Sequence, residues 1–413
     1  MILLEDSSRR LVAMSEVRTS SIHANTASVG QLHPYCVETM CDGATQLGRP
    51  NFYAECYDQI ATGIERFRNA TARLLDDASA KQLTVVSSTS DGLACILDAI
   101  LELQEVTNGV IGINHHSFAS VQLATRQLAG SRHKVIKLGR LDGRLEPHDL
   151  ARIPNLRVLV LDWVNYRTGA RNKIQPIAEY CSEWNIILVV DGVQGLGAVP
   201  LDFNLGLIDA LACGCQKWLR GPEGTGLLYI NESLRERVQP RRVGYRSLLD
   251  PKNFDQPSHR TISSDARAFE VGTQNTLGLL GAAAAVEALL KAGPNAVANS
   301  IEKNTRQFLN TLVHEPDVSV QTPNGPGDSA GIVSFSHSRV QADELVRRLR
   351  KVGVVAARRG RCVRLSPASD APMDALCERL KEVISTIRPQ SGLRRATSMR
   401  KLRLPTNAVA SSR

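Results

Sequence analysis

Seven short apolar runs, at 83–88, 110–114, 133–138, 157–162, 186–191, 208–213 and 225–230, alternate with helical patterns at 91–105, 117–129 and 173–184. This alternation constrains the fold more than any other feature. A strand, a helix and a second strand imply a crossover connection, and repeated crossovers build a mostly parallel sheet covered by helices on both faces. The run Ile186-Ile187-Leu188-Val189-Val190 is apolar at every position, as a strand buried on both sides requires. A helical pattern at 52–76 precedes the series. Helical patterns at 278–291, 296–314, 341–351 and 371–387, with apolar runs at 331–335 and 361–365, give the last third an α+β character. The sequence thus predicts an α/β chain with a seven-stranded, mostly parallel sheet and a smaller α+β C-terminal domain. Residues 76–285 form the large domain and 286–388 the small one. Residues 31–75 pack on the small domain, and 1–30 and 389–413 have no fixed structure.

A chain of 413 residues, 43% hydrophobic and 22% charged, can bury a full core. No apolar stretch reaches the ~18 residues of a membrane helix, and Glu5-Asp6 stands where a signal peptide needs base. A cytoplasmic protein is expected, with a transit peptide in the Ser- and Arg-rich start as the minor alternative. Nine scattered cysteines, with Cys213-Gly214-Cys215 the only close pair, read as reduced thiols. They give no metal-binding spacing. The net charge of +9 does not imply nucleic acid. Seven basic groups and no acidic one lie in 388–413, which leaves the body at +2. The tail reads as a solvated end, although Arg394-Arg395-Ala396-Thr397-Ser398 has the form of a basophilic kinase site.

In a doubly wound sheet, ligands gather at the carboxyl ends of the strands. Polar groups fall there repeatedly: Ser88-Thr89-Ser90-Asp91, Asn114-His115-His116, Val164-Asn165-Tyr166, Asp191 and, in a glycine-rich turn, Lys217. A strand-end Asp with a Lys one strand later suits pyridoxal phosphate. The Lys carries the aldehyde as a Schiff base, and the Asp keeps a proton on the pyridine nitrogen. A strand-end Asp can also be a plain helix cap. Gln194 three residues on, and Lys217 beyond the next strand, favour the cofactor. To act as nucleophile and later as base, Lys217 must be brought down from ~10.4, which burial does. Thr89 and Ser90 open a helix whose free N–H groups suit a phosphate. His115 is expected to stack on the cofactor ring, with His116 in reserve. Gly195-Leu196-Gly197 is not a dinucleotide-binding turn, because Ala198-Val199-Pro200 follows it rather than a helix.

Together these segments resemble the class V aminotransferase family, the cysteine-desulfurase, isopenicillin N epimerase and kynureninase-like branch of fold-type I pyridoxal-phosphate enzymes. Asp191-Gly192-Val193-Gln194 looks like the family's D-x-x-Q. Gln216-Lys217-Trp218-Leu219 with Gly221-Pro222-Glu223-Gly224-Thr225-Gly226 looks like its H-K-x-x-G-P-x-G-x-G. Phe269-Glu270-Val271-Gly272-Thr273-Gln274-Asn275 is similar to F-E-x-G-T-x-N, and Val363-Arg364-Leu365-Ser366-Pro367 to V-R-x-S-P. The resemblance covers about 35–388. It implies that Thr89 and Ser90 bind the cofactor phosphate and that Gln194 bonds the ring hydroxyl. Thr273 would reach the partner's phosphate in a homodimer, and Arg364 would clamp the substrate α-carboxylate. Gln216 replaces the usual His beside the cofactor, and Gly214 stands where desulfurases often have Ser. Gly360-Arg361-Cys362-Val363-Arg364 leaves no room for the desulfurases' mobile cysteine loop. Val164-Asn165-Tyr166-Arg167-Thr168-Gly169 looks like the kynureninase, epimerase and lyase side.

The expected function is a pyridoxal-phosphate enzyme on which an α-amino acid displaces Lys217 from the cofactor and loses its Cα proton. A lyase of a β-substituted amino acid or an epimerase is foremost, with transamination as the alternative. A non-catalytic binding protein on the same fold is a further one. No membrane or nucleic-acid partner is expected.

Overall fold

The computed structural model describes residues 21–387 except 56, 77 and 253–260. The basic tail and the first twenty residues, with the expectations made for them, lie outside the described residues. A two-residue strand β1 (Ile22–His23) starts the described chain. The seven runs form one sheet: β2 (Leu83–Val86), β3 (Val110–Asn114), β4 (Lys134–Leu138), β5 (Leu156–Asp162), β6 (Ile187–Asp191), β7 (Ala210–Gly214) and β8 (Gly226–Ile230). The order is β2-β8-β7-β6-β5-β3-β4. From β4 to β7 neighbours pair in parallel, and β8 is antiparallel to both its neighbours. The mostly parallel α/β architecture is thus as predicted. β6 is buried at every residue. One apolar core lies on each face of the sheet, and each fully buried Leu, Ile or Val there contributes roughly 1.5–3 kcal/mol.

A second sheet follows: β9 (Val318–Val320), β10 (Val333–His337), β11 (Val354–Val355), β12 (Ala357–Arg359) and β13 (Cys362–Leu365). Four of these pair in the order β12-β13-β10-β9, while β11 takes β1 as a parallel partner. The first thirty residues are therefore not all without structure. From Ser21 on they have a fixed path. Ile22, Ala24 and Ala27 are buried, and Thr26 N–H donates to the Ser366 carbonyl at 2.9 Å. Those buried groups and ladder bonds repay the ordering of the strand.

Two further expectations change. The boundary after 285 falls inside one continuous helix, Thr276–Ala292, which ends at Gly293 with φ +84°. Residues 31–75 pack on that helix rather than chiefly on the small sheet. Its small residues let other helices approach closely. A Cβ on Gly281 would lie 2.4 Å from Met40 Cγ in the helix Pro34–Leu47, which the sequence pattern did not reveal. The helix expected over 52–76 is broken before Gly63, whose bare backbone closes on Leu280. The helix Gly63–Leu74 is tied to β2 by a buried ion pair. Arg68 and Glu270, each 2% exposed, bond one another, and Arg68 Nε donates to the Leu83 carbonyl at 3.2 Å. Among the described residues no single helix is long and apolar enough to cross a membrane.

Candidate active site

The carboxyl ends of β2, β3, β5, β6 and β7 meet at one edge of the large sheet, and a cavity of about 220 Å³ opens there. Lys217 lies in its wall, three residues past the end of β7. The turn that carries it is held at several points. Gly221 N–H donates to the Cys215 carbonyl at 2.9 Å, and Arg220 N–H to the Lys217 carbonyl at 3.1 Å. Gly30 crosses so close that a Cβ there would sit 2.2 Å from the Lys217 carbonyl oxygen. Among the described residues, Lys217 Nζ has no hydrogen bond or ion pair, and it lies 5.8 Å from the Phe118 ring centroid. Burial pulls the amine down to about 8, against the opposing charge of Asp191 and with help from Arg364.

Asp191 ends β6 on the same wall and accepts from Val193 N–H at 3.1 Å. Asp162 ends β5 beside it, in register. The sequence reading missed Asp162. Both carboxyls are pushed up by burial, and Asp162 further by the charge of Asp191, whereas Lys217 pulls Asp191 back down. Two buried acids side by side do not both ionise. The upward push is the stronger on Asp162, so Asp191 is the more readily ionised of the two. Among the described residues Asp162 Oδ1 has no partner.

Gln194 lines the cavity and uses both ends of its amide. It donates to the Ala27 carbonyl at 2.9 Å and accepts from Trp218 Nε1 at 3.0 Å. Thr89 and Ser90 begin the helix Thr89–Ile100, capped by Ser88, whose Oγ accepts from Asp91 N–H at 3.1 Å. Thr89 Oγ1 also accepts from Gly214 N–H at 2.8 Å. A Cβ at 214 would lie 2.4 Å from Gln216 Oε1. The Gln216 side chain therefore occupies the room a larger residue at 214 would need, and the two departures from the family pattern compensate one another.

The cavity lining differs from the stacking expectation. Neither His115 nor His116 lines the cavity; the aromatic residues that do, among the described residues, are Phe118 and Tyr166. His115 N–H stays bonded to the Leu138 carbonyl at 2.9 Å, and His116 turns the chain with φ +58°. Phe118 then precedes the helix Ala119–Ala129 and meets Tyr166 edge-on, with centroids 5.2 Å apart. A count of aromatic residues after β3 would have found Phe118. Thr273 also lies away from the cavity, exposed, with its hydroxyl 3.1 Å from the Tyr245 hydroxyl.

Arg364 on β13 is 1% exposed yet reaches the cavity. Nη1 donates to the Tyr166 carbonyl at 2.8 Å and Nη2 to Ser28 Oγ at 2.6 Å, while Nε has no partner. The turn Val164–Gly169 presents that carbonyl because Asn165 Oδ1 accepts from the Arg167 and Thr168 N–H groups. Arg359 on β12, also missed, joins it. β12 and β13 are linked by Gly360 and Arg361 alone, so no mobile loop carries Cys362. Burial raises that thiol, and it does not line the cavity. Among the described residues no three His, Cys, Asp or Glu groups could hold a metal.

Pyridoxal phosphate fits these residues. The cavity holds a buried amine without a partner among the described residues, a strand-end carboxyl, aromatic residues and a hydroxyl-lined helix start. Comparison with known proteins agrees. The family described as Aminotransferase class-V matches residues 51–377. Cysteine desulfurases of Salmonella typhimurium and Salmonella typhi are 24% identical over 323 residues, covering 71% of this chain and 77% of theirs. A solved apo cysteine desulfurase from Thermococcus onnurineus superimposes with a TM-score of 0.77 at 18% identity, over 88% of this chain and 94% of that one. A cystine C–S lyase solved with its product cysteine persulfide gives 0.78 at 20%, over 89% and 98%. These likenesses show the fold. With the family matched across most of its length, the chain belongs to the class V aminotransferase family of pyridoxal-phosphate-dependent enzymes.

Proposed function

We propose that the chain is a lyase that takes an α-amino acid, removes its Cα proton and releases a substituent from Cβ. The observation that carries this is the burial of the Lys217 amine, brought down to about 8, in one cavity with Asp191 and Arg364. Arg364 offers a guanidinium to the substrate carboxylate, and that contact fixes which face of Cα meets Lys217. Lys217, a substantial part of it neutral near pH 8, accepts the Cα proton on Nζ. The charged Asp191 holds a proton on the pyridine nitrogen. Bound pyridoxal phosphate supplies the aldehyde that captures amines and the ring that takes up negative charge from Cα. Thr89, Ser90 and Gln216 would hold its phosphate, Gln194 its hydroxyl edge and Phe118 its face. Sulfur transfer to the protein is disfavoured by the two-residue β12–β13 link and the buried Cys362, so the released group leaves to solvent. The likeness to a cystine C–S lyase supports the same reading.

We also propose a homodimer in which exposed Thr273 contributes to the partner's cofactor phosphate. A reducing compartment such as the cytoplasm is supported by the eight described cysteines, all free thiols. The function is tested by incubating holoenzyme with β-substituted amino acids and measuring 2-keto acid against leaving group. Equal yields are expected, with Cys362→Ala unchanged within about twofold and Lys217→Ala slower by at least about 10²-fold. Keto acid without a released substituent, or racemised substrate, would contradict the lyase reading.

A further inference from the structure

The cavity holds more positive charge than a simple amino acid can neutralise. Arg359 and Arg364 both line it, and both bond the same hydroxyl: Ser28 Oγ lies 2.8 Å from Arg359 Nη2 and 2.6 Å from Arg364 Nη2. The two guanidinium groups are therefore no further apart than those two contacts laid end to end. Neither has a carboxylate partner among the described residues, in a protein whose other arginines make many ion pairs. Arg358, the neighbour on the outer face of β12, does pair, with Asp343 at 2.7 Å. Arg364 Nε is buried and unbonded. Partly buried guanidinium groups held side by side without anions are costly, and a ligand that supplies the anions removes that cost.

The cofactor does not supply them. Its phosphate belongs at the start of the helix Thr89–Ile100, by Ser88, Thr89 and Gln216, whereas Arg359 and Arg364 are held by Ser28 and the Tyr166 carbonyl. Asp191 faces Lys217. One α-carboxylate, even where it touches both arginines, carries one negative charge against two positive ones and leaves one uncompensated.

We propose that the substrate is an α-amino acid with a second anionic group on a short side chain, its α-carboxylate on Arg364 and the second anion on Arg359. This names the substrate class of the site described above and rests on reading that site as an amino-acid pocket. The shared hydroxyl limits the span: guanidinium groups this close suit two anions joined by a short chain, such as the carboxylates of a four-carbon diacid. Burial and the charge of Arg359 lower Arg364 to about 9, so it stays charged at neutral pH and its repulsion with Arg359 is what the dianion relieves.

The test is a calorimetric titration of holoenzyme and of Arg359→Gln with succinate and with butyrate, which needs no reaction. Wild type is expected to bind succinate about tenfold or more tightly than butyrate, and Arg359→Gln to bind the two within about twofold. Equal affinities in wild type, or a succinate preference that survives in Arg359→Gln, would overturn the proposal. Should Arg359→Gln not fold, the wild-type comparison decides alone. Cofactor absorbance in the same samples keeps the two readings apart. A normal band without succinate preference removes only the dianion proposal. Succinate preference in a protein that takes up no cofactor removes only the lyase reading.

Discussion

Lys217 combines two demands that oppose one another: an amine neutral enough to react, and a fold that tolerates it buried. Burial lowers it to about 8 from the ordinary 10.5, so in the cofactor-free protein it is charged and costly at pH 7. Below pH 8 both folded and unfolded chains carry the proton, and the cost is present in full. Between about 8 and 10.5 the unfolded chain binds more protons than the folded one, so stability rises with pH. Lys217→Met should therefore stabilise the cofactor-free protein at pH 7 by on the order of 2–3 kcal/mol, the gain vanishing above about pH 10. Denaturation in urea at pH 7 and 10 measures this; a Lys217→Met variant no more stable at pH 7 would mean the amine is solvated. At this scale the sequence was readable where chemistry and position coincide, as at Asp191, Gln194 and Lys217, each near a strand end. Ser28 and Arg359 were not, because nothing local marks them, whereas Asp162 and Phe118 stand at or just past strand ends and were legible by the same rule. Ser28 and Arg359 are brought together by the β1–β11 pairing and the β12–β13 hairpin.

Glu270 shows what a motif residue can do away from the chemistry. In Phe269-Glu270-Val271-Gly272-Thr273 it pairs with buried Arg68 and approaches Val85 N–H at 3.4 Å, coupling the helix Gly63–Leu74 to β2. Glu270→Ala leaves Arg68 buried without its main counter-ion and should cost about 3–5 kcal/mol. A melting temperature within a degree of wild type would contradict this. The seven strands of the large sheet were legible because each is a short run dominated by apolar residues, unbroken in β6 and interrupted by lysines in β4. The helix Pro34–Leu47 was not: its mean apolar pattern is weak, and its contact with Thr276–Ala292 runs through glycines that carry no hydrophobic signature. Gly195-Leu196-Gly197 was rightly rejected as a nucleotide turn. A Cβ on Gly195 would lie 2.4 Å from the Trp163 ring, so its glycine serves packing.

In the molecule as a whole, the N-terminal segment joins the two sheets across the site, with Ile22 on β11, Thr26 on Ser366, Ala27 on Gln194 and Gly30 on Gln216. The N-terminal segment thus forms part of the cavity wall and touches both sheets there. Thr273 stands outside the cavity, which is what a residue acting on a second subunit requires. Thr273→Ala should weaken cofactor affinity several-fold while leaving the melting temperature of the cofactor-free protein within about 1 °C. Light scattering of the wild type should give twice the chain mass, and a monomer that binds cofactor normally would remove the dimer proposal. The central claim is that Lys217 carries the cofactor. Borohydride reduction of the holoenzyme followed by peptide mass mapping tests it most directly. The account predicts pyridoxyl phosphate fixed to Lys217 and none in Lys217→Ala; a label on another lysine, or no label on wild type, would contradict it.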